Sequence, residues 1–145
     1  MKLLISFFLF LSTTAFSQQK NDSSAIVQLL IQDYNTLGKW DIQSHIKNCT
    51  ANYLLVENGE IWNMKKESEY FSKNAGRVID RKNHFDIKYI SVYGNYAYAV
   101  YYLRSDITEN GKLTVKNWIE STVFCKINGN WKIELINSTP VDAGK

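Results

Sequence analysis

The stretch VKNWIESTVFCKINGNWKIELINS, Val115 to Ser138, decides how the chain is read. Asn128-Gly129-Asn130 interrupts two runs rich in β-branched, aromatic and alternating apolar residues. Asn-Gly between such runs is the strongest short-range hairpin signal. Val115–Ile127 and Trp131–Ser138 are therefore expected to be antiparallel strands, with Asn137-Ser138-Thr139-Pro140 closing the second. On the returning strand Trp131, Ile133, Leu135 and Asn137 share one face. On its partner the set richest in apolar side chains is Ile119, Ser121, Val123, Cys125 and Ile127. Both sets are expected to face the core, with Ser121 and Asn137 as polar tips in an apolar surround.

Working back from the hairpin, the turns Glu109-Asn110-Gly111-Lys112 and Gly94-Asn95 bound a strand from Tyr96 to Asp106, and His84–Tyr93 precedes it. In Tyr96–Asp106, Ala97, Ala99, Tyr101 and Leu103 form one face. Tyr96, Tyr98, Val100, Tyr102 and Arg104 form the other. The small residues suit helix packing. The row of Tyr closed by Arg has the composition of a protein interface, and a homodimer through this face is expected; a solvated sheet with tolerated Tyr is the alternative.

Upstream, the spacing of Ile26, Leu29, Leu30, Tyr34 and Leu37 after Asn21-Asp22-Ser23-Ser24 predicts an amphipathic helix over residues 23–37, stopped at Gly38. Asp41 is expected to cap a short helix, Ile42–Lys47. Tyr53–Val56 reads as a strand and Glu57-Asn58-Gly59-Glu60 as a turn. Ile61-Trp62 continues the extended chain, and Asn63 caps a third helix to about Asn74. Helices grouped ahead of a meander give an α+β fold with the helices on one face of the sheet.

The N-terminus bears on compartment. Lys2, the apolar run Leu3–Leu11 and small residues at Ala15-Phe16-Ser17 form a secretory signal peptide pattern, with cleavage expected after Ser17 and a membrane anchor helix as the alternative. The run is shorter than the roughly 20 residues a membrane span needs. Residues 18–145 then make one domain, periplasmic or secreted, with no membrane attachment after cleavage. That portion has 16 basic and 14 acidic residues and no basic stripe, which speaks against nucleic-acid binding. Cys49 and Cys125 could pair in an oxidising compartment or stand as small apolar thiols. His45 and His84 suggest no ligand spacing with either Cys, so no metal is expected.

Gly38-Lys39-Trp40-Asp41, Glu57-Asn58-Gly59-Glu60-Ile61-Trp62, Val92-Tyr93-Gly94-Asn95-Tyr96-Ala97, and Asn128-Gly129-Asn130-Trp131 through Thr139-Pro140 occur in an order that resembles the nuclear transport factor 2-like superfamily. The chain looks most like the SnoaL-like branch of small exported bacterial proteins. The resemblance implies a cone, in which a strongly bent sheet wraps the N-terminal helices and leaves a cavity at its wide end. It also implies dimerisation through the sheet's outer face in many members. Functions on this fold range from isomerases, dehydratases and cyclases to domains without known activity, so fold does not decide function. Catalytic members carry a cavity Asp or His. Here Ala51-Asn52 stand where an acidic pair is common, and Leu135 and Asn137 where His occurs.

Three readings follow. The first is a binder of a small apolar or amphipathic molecule, with Tyr34, Tyr53, Trp62, Ser121 and Asn137 lining or gating the cavity. The second is a cofactor-independent isomerase, dehydratase or cyclase, for which Asp33 is the candidate acid. The third is a filled structural or interaction domain. A perturbed carboxyl or imidazole in the cavity favours the second.

Overall fold

A computed structural model describes residues 5–141, with side chains from residue 21 onward. The expected leader, residues 1–17, lies outside the residues whose side chains are described. The order is α1 (Ile5–Leu37), α2 (Ile42–Asn48), β1 (Cys49–Glu57), β2 (Glu60–Asn63), α3 (Met64–Asn74), β3 (Ile79–Tyr93), β4 (Tyr96–Glu109), β5 (Lys112–Ile127) and β6 (Asn130–Pro140). One six-stranded curled sheet runs β2-β1-β6-β5-β4-β3. The pairs are antiparallel except β1 with β6, which is parallel. This mixed, open sheet around three helices is the α+β cone the sequence suggested. Among the described residues no helix is long and apolar enough to cross a membrane.

Local chemistry sets the boundaries. Asp41 caps α2 by accepting from the Ser44 N–H at 3.0 Å, and Asn63 caps α3 from the Lys66 N–H at 3.0 Å. The hairpin turn at Asn128-Gly129 has φ of 50° and 79°, the left-handed pair that matches the twist of the flanking strands. Asn58-Gly59 and Asn110-Gly111 repeat the device.

The core forms where α1 presses Ile26, Leu29, Leu30 and Tyr34 onto the sheet's inner face, against Ala97, Ala99, Tyr101 and Leu103 of β4 and Phe124, Ile133 and Ile136. The small Ala97 and Ala99 of β4 are buried in this core, while the helix itself runs nearest β3 and then β6. Asp22, midway along α1, ties the helix to the sheet: it accepts from Trp131 Nε1 at 2.9 Å and pairs with Lys126 at 2.5 Å.

The inward faces of β5 and β6 differ from the expectation. On β5 the buried residues are Glu120, Thr122 and Phe124, while Ser121, Val123 and Cys125 are only half-buried and Ile119 and Ile127 exposed. On β6, Trp131 and Ile133 point inward as expected. A register shift opposite Val123 and Phe124 then leaves Glu134 without a partner, and Ile136 and Ser138 turn inward while Asn137 is exposed. One extra residue reverses every face beyond it.

The two thiols are unpaired. Cys49 is buried beside His45, whereas Cys125 sits at mid-exposure on β5 beside Tyr96.

Candidate functional site

A cavity of about 560 Å³ opens between α1, α3 and the inner sheet. Consecutive residues of α1 project in different directions, so Asp33 and Tyr34 serve two separate polar groups on its wall.

The first group centres on His45 of α2. Nδ1 lies 2.9 Å from Asp33 Oδ1 and Nε2 lies 2.5 Å from Glu67 Oε2. The three residues are 2%, 3% and 6% exposed, respectively for His45, Asp33 and Glu67. Burial alone would lower the imidazole pKa. Hydrogen bonding to Asp33, Cys49 and Glu67 overrides it and raises the value to about 12. His45 is thus an imidazolium donating both N–H groups to carboxylates. Phe71 stacks on its ring at 5.6 Å and Tyr53 meets it edge-on at 5.2 Å. Asn48 Nδ2 donates to Asp33 Oδ1 at 3.0 Å.

Donor atoms of Asp33, His45 and Cys49 lie within 4.8 Å of one another. The four-residue spacing of His45 and Cys49 across the end of α2 is a ligand spacing that the sequence reading passed over. The donor set nevertheless does not fit a metal. Both ring nitrogens are committed to carboxylates, and burial pushes the Cys49 thiol up to about 11, which keeps its proton on.

The second group centres on Glu120 of β5, which sequence reasoning missed. Its carboxylate accepts from the Tyr34 hydroxyl in a short contact and from the Ser138 hydroxyl at 2.8 Å. Burial raises its pKa above the ordinary carboxylate range, and these donors only partly oppose that. Burial likewise raises Tyr34 and Tyr101 well above the usual phenol value. Tyr101 shares its hydroxyl with Thr122 at 2.9 Å. Glu57 completes this side. It accepts from Trp118 Nε1 at 3.0 Å.

The mouth is aromatic. Trp40 and Trp62 both meet Tyr70, with ring centroids 5.9 and 5.6 Å apart. Trp40 has φ 53°, a rare setting for a bulky side chain, and its indole N–H donates to the Arg77 carbonyl at 3.0 Å. Arg77 forms a two-pronged pair with Glu109 at 2.8 and 2.7 Å.

Of the residues expected to line the cavity, Tyr34, Tyr53 and Trp62 do so, with Tyr34 also part of the core. Ser121 and Asn137 do not: they pair with each other in the sheet and face away from it, because the β5 face and the β6 bulge run opposite to the apolar count. Asp33 borders the cavity, but its carboxylate is engaged by His45 and Asn48. Tyr96, Tyr98 and Tyr102 are 58%, 41% and 46% exposed on the outer face. Arg104, also exposed, pairs with Asp106 at 2.8 Å.

No family model matches the chain, and no curated protein matches it. Solved structures do. A ketosteroid isomerase-like protein from Erwinia carotovora atroseptica is 15% identical, with 82% of this chain and 95% of that one covered and a TM-score of 0.65. A nuclear transport factor 2-like superfamily protein from Salmonella enterica serovar Typhimurium is 20% identical, with 85% and 96% covered and a TM-score of 0.69. The association domain of CaMKII from C. elegans is 16% identical, with 83% and 97% covered and a TM-score of 0.70. The fold is that of nuclear transport factor 2-like proteins. At such identities the likeness is one of fold.

Proposed function

We propose that the cavity binds a small amphipathic organic molecule and exchanges a proton with it at Glu120, as in a cofactor-independent isomerase, dehydratase or cyclase. The observation that carries this reading is a carboxyl on the cavity wall whose pKa is raised by burial and which is held by Tyr34 and Ser138. A carboxyl whose pKa is raised by burial is a better proton acceptor than an ordinary one and can return the proton it takes. His45 is unsuited to that task because its two N–H groups are committed to Asp33 and Glu67. Its role is to fix the cavity's far wall, and Asp33 acts through it as a positioning residue.

The test is hydrogen–deuterium exchange. The protein is incubated in D2O with enolisable ketones such as 2-tetralone, and loss of the α-proton signal is followed by NMR. Protein-dependent exchange that vanishes in Glu120→Gln supports the reading. Binding of the ketone without exchange favours a carrier, the plain binding function.

Residues 1–17 favour an exported protein, periplasmic or secreted, of the SnoaL-like kind. The exposed Tyr96, Tyr98 and Tyr102 favour a homodimer through the outer face. Neighbours on this fold named as association domains are consistent with assembly through the same scaffold.

A further inference from the structure

The chain has three arginines. Arg77 is paired with Glu109, and Arg104 with Asp106. Arg81, half-buried on β3 and lining the cavity, has no carboxylate within ion-pair distance among the described residues. Its Nε donates to Asn83 Oδ1 at 2.9 Å and its Nη2 to Ser105 Oγ at 3.1 Å. Both partners are neutral, and both are held in turn. Ser105 donates to Asn83 Oδ1 at 2.7 Å, and Asn83 Nδ2 donates to the Tyr34 carbonyl at 3.2 Å. The guanidinium lies 5.9 Å from the Trp118 ring centroid. One edge of the fork is therefore locked while the Nη1 end has no hydrogen-bond acceptor among the described residues. No fully buried donor is left unsatisfied among the described residues, so that end is not sealed within the protein, and Arg81 lines the cavity.

We propose that Arg81 is the anchor for the carboxylate of the cavity's ligand, so that this ligand is an amphipathic organic acid. The inference rests on the cavity being a small-molecule site. A planar guanidinium held on one edge presents the other to a carboxylate with little ordering cost. Burial lowers the Arg81 pKa, and the nearby Tyr34, Glu120, Tyr70 and Glu57 only partly oppose it; a ligand anion in direct contact would add to that compensation. The charge of that anion is constrained as well. Glu57 and Glu109 also line the cavity and repel a phosphate dianion more than a carboxylate. Glu120, the nearby acid, would then act on the carbon skeleton rather than on the anchored group.

Matched probes test this. Octanoate with octanamide, phenylacetate with phenylacetamide, and octyl phosphate are titrated into the wild-type protein. Calorimetry and the Trp118 indole cross-peak are the readouts. Either acid is expected to bind about ten- to a hundredfold tighter than its amide, the range for hydrogen bonds to a charged group. Arg81→Gln should remove that preference and leave amide binding unchanged, and Arg81→Lys should keep part of it. Melting curves establish that both variants fold. If acid and amide bind alike in the wild type, the anchor is wrong and the cavity reading survives. Tighter binding of octyl phosphate than octanoate overturns the choice of carboxylate. No binding of any probe overturns anchor and cavity together.

Discussion

Replacing His45 with Leu is the sharpest test of the buried triad. The change is close in size but deletes a cation that donates at 2.9 and 2.5 Å to two carboxylates, each almost wholly buried. Asp33 keeps Asn48 as a donor; Glu67 loses its ion-pair partner. Removing one partner of a buried ion pair costs about 3–5 kcal/mol, because an uncompensated charge is left behind. For a chain of this size that is a fall in Tm of about 10–20 °C. The pH dependence separates this mechanism from loss of packing against Phe71. In the wild type, His45 has a folded pKa of about 12 against an ordinary 6.5. Its contribution is full below about 6.5 and is lost as pH rises toward 12. The variant lacks this contribution, so its deficit should grow from pH 7.5 to pH 5, where loss of packing alone would leave it constant. Urea denaturation at both values measures this. Adding Asp33→Asn and Glu67→Gln to His45→Leu should restore most of the loss. A deficit below about 1 kcal/mol at pH 7.5, or one that is the same at pH 5, would refute the account.

Glu120→Gln should lose proton exchange while gaining stability at pH 8. The raised folded pKa means that the stability Glu120 contributes is present below its ordinary 4.5 and is lost as pH rises through the folded value. Melting curves from pH 4 to 8 should fall for the wild type and run flatter for the variant; parallel curves count against a raised pKa. Tyr98→Ala and Tyr102→Ala should sediment as monomers where the wild type sediments as a dimer, with Tm changed by only a few degrees; a wild-type monomer removes the interface. In the folded Tyr98→Ala monomer a maleimide should label Cys125 first. Cys49 should react only on unfolding, since it is buried and its thiol is pushed up to about 11; mass spectrometry of the digest reads both.

The fold was legible because its signals are local. Asn-Gly turns, caps at Asp41 and Asn63 and the stripe of α1 each depend on a few neighbouring residues, and so do the two faces of β4. The site was less legible because apolar content chose the inward face of β5. The hairpin itself contradicted that choice. A two-residue turn at Asn128-Gly129 opposes Ile127 to Asn130, Lys126 to Trp131 and Phe124 to Ile133. If Trp131 and Ile133 face inward, Phe124, Thr122 and Glu120 must as well, and Ser121 cannot. Register was therefore the available signal for Glu120, and hydrophobicity hid it. The bulge at Glu134, which sends Asn137 outward and Ser138 inward, has no comparable local mark. The same holds for the triad: Asp33, His45 and Glu67 lie on three helices, and only tertiary packing brings them together.

The polar interior makes sense as two stations with different freedom. At one, an imidazolium sits between two carboxylates, with both ring nitrogens used, and Phe71 and Tyr53 close it off. Such a cluster is costly to assemble and rigid once satisfied. At the other, among the described residues, Glu120 has only neutral hydroxyl donors and Arg81 only neutral acceptors. Had the two charges been needed for stability, a direct pair would have served both better than the separate neutral networks that hold them. Keeping an acid and a guanidinium on the wall of one cavity, each held in place and neither neutralised by the other, leaves their chemistry available to a third party. That is the arrangement a ligand with its own acidic head would complete.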